Sequence, residues 1–148
     1  MEFAIYQSVA GNLAGAAVKL LEKIFLSGSR AVFFSPITER VDIINKTLWT
    51  YSTNAFIPHG DKRMGFEEQQ PIYFTDVFLQ NPNNASILVL VDTFDLTNKE
   101  YENFEKIMLI FEDISKVDEI EKIYRSLKDN GKNVNYWKQS PKGWEKLS

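Results

Sequence analysis

His59 is the residue that an acid–base or metal mechanism would need first, because it is the only histidine in the chain and histidine titrates near neutral pH. A Ser-His-Asp triad would also need a serine on a Gly-x-Ser-x-Gly turn, which the sequence lacks. The absence of cysteine excludes Cys nucleophiles, thiolate zinc sites and disulfides. We interpret His59, between Pro58 and Gly60, as a turn residue whose ring bonds a nearby carbonyl.

Asp92 and Asp95 follow the apolar run 87–91, at the end of a predicted strand where α/β enzymes place functional carboxylates. No second cluster of metal ligands accompanies them, so the sequence predicts neither a metal nor another cofactor. We interpret both residues as turn or helix-entry positions.

Gly11 and Gly15 lie between the first predicted strand and the first predicted helix, where dinucleotide-binding folds carry a glycine-rich phosphate turn. The Gly-x-Gly-x-x-Gly spacing is absent and no Gly-Lys-Ser/Thr follows. A small-molecule or nucleotide-binding α/β enzyme therefore stays open as the alternative function.

Two features indicate recognition of another molecule instead of catalysis. Trp49 and Phe56 flank a polar turn, although large aromatic residues are usually buried in helices or strands. A set of basic residues lies on or beside the last predicted helix: Lys116, Lys122, Arg125 and Lys128. Taken alone, this set is explained by a solvated helix face; beside an aromatic pocket, it would form an anion site.

Periodicity predicts alternating strands and helices, which is typical of a mainly parallel sheet covered by helices on both faces. The expected fold is a three-layer α/β/α single domain with a Rossmann-like sheet of about five strands. Short apolar runs predict strands at 3–6, 31–34, 72–74, 87–91 and 107–111, and a possible edge strand at 134–137. Apolar residues at helical spacing predict helices near 13–25, 41–49 and 117–127.

Composition favours a globular domain of ordinary type, with 44% hydrophobic and 25% charged residues in 148. We expect one domain over residues 1–148, with about 139–148 as a C-terminal tail. The net charge of −3 argues against strong direct contact with DNA, because phosphate binding needs a basic balance. No stretch is apolar enough to span a membrane, and no signal peptide is evident, so a cytoplasmic location is expected.

Several segments resemble the chi subunit family of bacterial DNA polymerase III, and together they cover nearly the whole chain. The matching segments are Trp49, Phe56-Ile57-Pro58-His59-Gly60, Gln70–Thr75, Asn81–Ala85, Phe104–Ile107, Tyr124–Gly131 and Tyr136–Trp144. The resemblance implies a non-catalytic accessory subunit of the polymerase holoenzyme. It also implies that the chain binds the acidic C-terminal tail of single-stranded-DNA-binding protein (SSB) and joins the clamp loader through the psi subunit.

The same resemblance implies a pocket for the tail, lined by Trp49, Phe56, Ile110, Tyr124 and Arg125. Two basic positions of family members fall on Val117 and Glu121 in this chain. Lys116, Lys122 and Lys128 are then the candidates to replace them by reaching around the last helix. A second interaction role, through Trp137 and Trp144 and without a tail pocket, also stays open.

Overall fold

A computed structural model describes residues 1–51, 59–61, 70–78 and 81–147. Within them the chain forms eight strands and three α-helices, in the order β1 (Glu2–Gln7), α1 (Leu13–Leu26), β2 (Ala31–Phe34), α2 (Thr38–Tyr51), β3 (His59–Asp61), β4 (Ile72–Thr75), β5 (Ile87–Val91), β6 (Lys106–Phe111), α3 (Val117–Asp129), β7 (Asn133–Ser140) and β8 (Gly143–Lys146). Short 3₁₀-helices at Lys99–Asn103 and Ile114–Lys116 precede β6 and α3. None of the helices described is both long and apolar enough to cross a membrane.

All described strands belong to one sheet, in the spatial order β3-β4-β2-β5-β6-β1-β7-β8. Every pairing is parallel except that of β7 with β8. The first strand lies inside the sheet, because Glu2 is opposite Lys106 of β6 on one side and Asn133 of β7 on the other. The carboxyl ends of the seven strands β1 to β7 therefore meet at the same edge, which we call the carboxyl edge.

The two faces of the sheet bury separate cores, which confirms the predicted three-layer α/β/α arrangement. Helices α1 and α2 cover one face, where their apolar stripes meet alternate strand residues such as Phe33 and Met108. Helix α3 covers the other face, where Ile120 contacts the core formed by Ile5, Leu109 and neighbouring residues. Because both faces are covered, the central strand β5 is apolar throughout.

The sheet has more strands than the five expected from the sequence. The residues 139–148, expected to form a tail, include the end of β7 and the strand β8, which pairs through Gln139 opposite Trp144. The strand predicted near 134–137 is not an edge strand, because β7 pairs on both sides. β3 was not predicted, since His-Gly-Asp offers no apolar run.

Candidate functional site

One flank of α3 presents a ring and two cations to solvent. Tyr124 is half-buried, and Lys128, one helical turn later, places its Nζ 5.2 Å from the centroid of the Tyr124 ring. Arg125 is exposed next to them, and neither cation forms an ion pair with the described residues. We call Tyr124, Arg125 and Lys128 the α3 flank; its chemistry suits a ligand that carries both an apolar group and negative charge.

The ring of the α3 flank rests on a second tyrosine, which the sheet holds in place. Tyr136 of β7 meets Tyr124 edge-on, with the ring centroids 5.9 Å apart. Its hydroxyl donates a hydrogen bond to Oε1 of Gln7 at 2.8 Å. Burial, and then the nearby negative charge of Glu121, raises the pKa of Tyr136 from 10.0 to about 12. Glu121 therefore lies on the same side of α3 as the α3 flank and opposes an anion there.

The three lysines proposed to reach around α3 do not share one face. Lys122 lies about 120° around the helix axis from Lys128 at 3.6 residues per turn. Lys116 precedes α3 and lines a cleft at the carboxyl edge. Of the three, only Lys128 therefore lies beside Tyr124, whereas Lys122, three positions before Arg125 in α3, is a neighbour of Arg125 on its other side.

The other residues predicted for the tail pocket lie elsewhere. Ile110 is fully buried, and it belongs to the core under α1 and α2, on the face of the sheet opposite α3. The reason is the alternation of side chains along a strand: Leu109 and Phe111 face α3, so Ile110 between them cannot. Phe56 lies outside the described residues.

Trp49 is also remote from α3. Trp49 lies in the last turn of α2, and its side chain is 42% exposed. Its ring packs on the ring of His59 in β3, with the two centroids 4.2 Å apart. β3 is the edge strand farthest from β7 and β8. The structure thus separates the predicted pocket into the α3 flank and a surface around Trp49, on opposite faces of the sheet.

His59 is a structural residue. It is buried in β3, with its Nε2 3.3 Å from the carbonyl oxygen of Asn45. The carbonyl contact agrees with the sequence interpretation, but the residue belongs to a strand and not to a turn. The described residues contain no group of three or more His, Asp or Glu side chains that could hold a metal ion.

The glycine turn after β1 is already occupied by a carboxylate of the chain. Oε2 of Glu112 accepts hydrogen bonds from the backbone N–H groups of Gly11 at 2.9 Å and Leu13 at 3.1 Å. These are donors that a phosphate would use at the start of α1. The arrangement disfavours the nucleotide-binding alternative, because a phosphate would have to displace Glu112.

Asp92 and Asp95 have different roles. Asp95 accepts hydrogen bonds from the backbone and hydroxyl of Thr97, as expected of a turn residue, and these bonds lower its pKa. Asp92 has a left-handed backbone (φ 64°), and its carboxylate binds Ser35 Oγ at 3.0 Å and Arg40 Nε at 3.0 Å. Sequence reasoning missed Arg40 and Glu112, because their contacts join residues 52 and about 100 positions apart.

A cleft of about 640 Å³ opens above these groups at the carboxyl edge. We call it the carboxyl-edge cleft; it is lined by residues that follow β1, β2, β5 and β6, among them Leu13, Arg40, Asp92, Phe94, Phe111 and Glu112. Such crevices are the usual ligand sites of open α/β sheets.

Comparison with known proteins places the chain in a family. The family model for the DNA polymerase III chi subunit, HolC, matches residues 1–135. The "Probable DNA polymerase III subunit chi" of Rickettsia prowazekii (strain Madrid E) is 33% identical over 153 aligned residues, which cover 99% of this chain and 92% of the relative. The chain therefore belongs to the DNA polymerase III chi subunit family.

Proposed function

We propose that this chain is a non-catalytic accessory subunit of bacterial DNA polymerase III, working in the cytoplasm at the replication fork. In this proposal it binds the acidic C-terminal tail of SSB and links SSB to the clamp loader through a psi subunit. Its contact with DNA is indirect or weak. Family membership supports the replication role, and the α3 flank supports the recognition of an acidic tail.

The observation that carries the proposal is the placement of Arg125 and Lys128 beside the half-buried ring of Tyr124. A tail that ends in Asp-Asp-Ile-Pro-Phe offers an aromatic ring and a free carboxylate. The ring needs an apolar surface such as that of Tyr124, and the carboxylate needs fixed donors such as Arg125. The closeness of Tyr124, Arg125 and Lys128 on α3 supports both contacts.

The expected affinity is modest. Burying the terminal ring contributes about 1.5–3 kcal/mol, and each charge-assisted hydrogen bond contributes about 1.5–3 kcal/mol before the cost of ordering the tail. The ring and two such bonds contribute about 4.5–9 kcal/mol, and the upper end of this range, less the cost of ordering the tail, corresponds to a dissociation constant on the order of micromolar. Since Glu121 opposes the anion, this chain depends on several tails acting together to hold SSB firmly.

A tether needs two surfaces that can be occupied at once, and the separation of Trp49 from the α3 flank supplies them. Trp49 is an exposed aromatic residue at the far edge of the other face, so we propose it for the contact toward psi or another clamp-loader component. Trp144 is a weaker candidate for a partner contact, because its ring packs on Tyr6 at 5.2 Å and on the core.

The test is fluorescence anisotropy of a labelled peptide that ends in Asp-Asp-Ile-Pro-Phe, measured beside the same peptide without its final Phe, at two salt concentrations. We expect saturable binding that is lost with the Phe and weakens as salt increases. If neither peptide binds to the folded protein, the SSB role is wrong, while the family assignment stands.

A further inference from the structure

The carboxyl-edge cleft has walls that suit an aliphatic or aromatic group. Its lining includes Leu13, Ile37, Phe94, Phe111 and Ile114, contributed by four separate connections of the sheet. None of these residues belongs to the α3 flank. The cleft is thus a concave surface distinct from the α3 flank, which is proposed for the SSB tail.

Large aliphatic side chains remain exposed at the mouth of the cleft. Ile114 is 74% exposed and Ile37 is 45% exposed, and both line the cleft. Exposed aliphatic residues that gather around a crevice are typical of interaction surfaces. The apolar part of a partner would cover them.

The base of the cleft carries an excess of negative charge. One guanidinium, that of Arg40, faces two carboxylates: its Nη2 lies 3.4 Å from Oδ1 of Asp92 and 4.0 Å from Oε1 of Glu112. The second oxygen of Glu112 is already used by the backbone of α1. With Asp113 and Lys116, which also line the cleft, three carboxylates face two cations, so the cleft keeps an excess of one negative charge.

The residues around the cleft add to its negative charge. Acidic residues dominate the ends of the strands and the first turns of the helices at the carboxyl edge: Glu39, Asp76, Asp92, Asp95, Glu112, Asp113, Asp118 and Glu119. Among the residues that the structure describes, the basic ones at the same edge are fewer: Arg40, Lys116, Lys138 near the end of β7, and Lys142 in the turn between β7 and β8. A field of one sign at a cleft favours a ligand of the opposite sign.

The backbone at the base of the cleft is strained. Asp92 adopts φ 64°, which is unfavourable for a residue with a side chain, and this conformation places its carboxylate against Ser35 and Arg40. Strain of this kind is found where a fixed arrangement of groups is needed. The polar base of the cleft is therefore arranged in advance of any ligand.

We propose that the carboxyl-edge cleft docks a segment of a partner protein in which a Lys or Arg stands between apolar side chains. The basic head lies against Glu112 and Asp113, and its aliphatic stem and apolar neighbours cover Ile37, Phe94 and Ile114. This partner differs in charge from the SSB tail, which the acidic edge repels. The inference stands independently of the proposed SSB role.

The probes are three synthetic hexapeptides, titrated into the ¹⁵N-labelled full chain and followed by NMR. The first is acetyl-Gly-Leu-Arg-Leu-Lys-Gly-amide; the second has Glu at both basic positions; the third has Ser at both Leu positions. We expect saturable shifts, at the ends of β2, β5 and β6, from the first peptide alone. Equal binding of the second or third peptide would overturn the proposal, as would an absence of shifts at the cleft.

Two surface variants locate the binding. Ile114→Ser removes an apolar contact, and Asp113→Asn removes a charge while keeping an acceptor for Ser115; each is expected to weaken the first peptide about threefold or more. Leu26→Ser, at a residue that is 72% exposed on the opposite edge, and Asp129→Asn are the matched controls. Equal effects in variants and controls would contradict the assignment.

A second copy of the chain is the competing occupant. Sedimentation velocity of the chain without peptide shows whether two copies associate through the cleft. If the wild type self-associates and Ile114→Ser abolishes the association, the cleft is an interface between copies and the proposal is wrong. A monomeric wild type that binds the basic apolar peptide supports the proposal.

Discussion

The carboxylate of Glu112 accepts the backbone N–H of Gly11 at 2.9 Å, across 101 positions of sequence. It also accepts the N–H of Leu13, so one side chain after β6 satisfies two backbone donors at the start of α1. Asn12, the N-cap residue of α1, makes no capping hydrogen bond with its own side chain. Glu112 therefore performs the capping that a local residue usually provides.

Replacing Glu112 by alanine should lower the free energy of unfolding by about 1–3 kcal/mol, since two backbone donors lose their acceptor and the helix dipole loses its counter-charge. Urea unfolding followed by circular dichroism measures the change. Glu102→Ala, at an exposed acidic residue, is the control and should stay within about 0.5 kcal/mol of the wild type. Equal stability of both variants would show that Glu112 does not cap α1.

Replacing Arg125 by alanine should weaken binding of the SSB tail peptide by about 1–3 kcal/mol, because the tail carboxylate loses a charged donor. Lys19→Ala removes the same charge from an exposed residue of α1, on the opposite face of the sheet, and is the matched control. Anisotropy measures both. Similar losses in the two variants would indicate attraction by overall charge, without a site on the α3 flank.

Replacing Glu121 by glutamine should strengthen tail binding, because a negative charge beside the α3 flank disappears. It should also lower the pKa of Tyr136, which the charge of Glu121 helps to raise. Anisotropy measures the first effect, and the ultraviolet absorbance of tyrosinate during alkaline titration measures the second. A lowered pKa without tighter binding would place the tail away from Glu121.

Stability should decrease as pH rises between about 10 and about 12. In this interval Tyr136 keeps its proton in the folded chain, while the unfolded chain releases it, so deprotonation favours unfolding. Below about pH 10, the protonated Tyr136 contributes its full stabilisation to the folded chain. Urea unfolding at several alkaline pH values should show a shallower decrease for Tyr136→Phe than for the wild type. Burial also raises the pKa of Tyr6 and Tyr101, so part of the decrease should remain.

Periodicity predicted the long elements because each of them buries its own apolar stripe, as Ile120 and Leu127 do for α3. The short strands β3 and β8 were missed, since His59–Asp61 and Gly143–Lys146 contain few apolar residues and are stabilised by the neighbouring strands. The pairings of β3 and β8 depend on the neighbouring strands, so the pattern of residues within each short strand does not predict them.

The candidate site was predicted in part. The four-residue spacing of Tyr124 and Lys128 places both on one side of a helix, and the structure shows this contact. The assignment of Ile110 to the same pocket required knowing which face of β6 it occupies. That information is absent from the sequence, because β6 is apolar on both faces of a covered sheet.

The interior position of β1 also has a consequence for synthesis on the ribosome. β1 is synthesised before the other described strands, yet its neighbours β6 and β7 begin at Lys106 and Asn133, so both of its edges stay unpaired for roughly 5–20 s at ordinary translation rates. During that time β1 is a free strand open to wrong pairings. The nascent chain must therefore remain protected until β6 and β7 have emerged, because only then can both edges of β1 be paired.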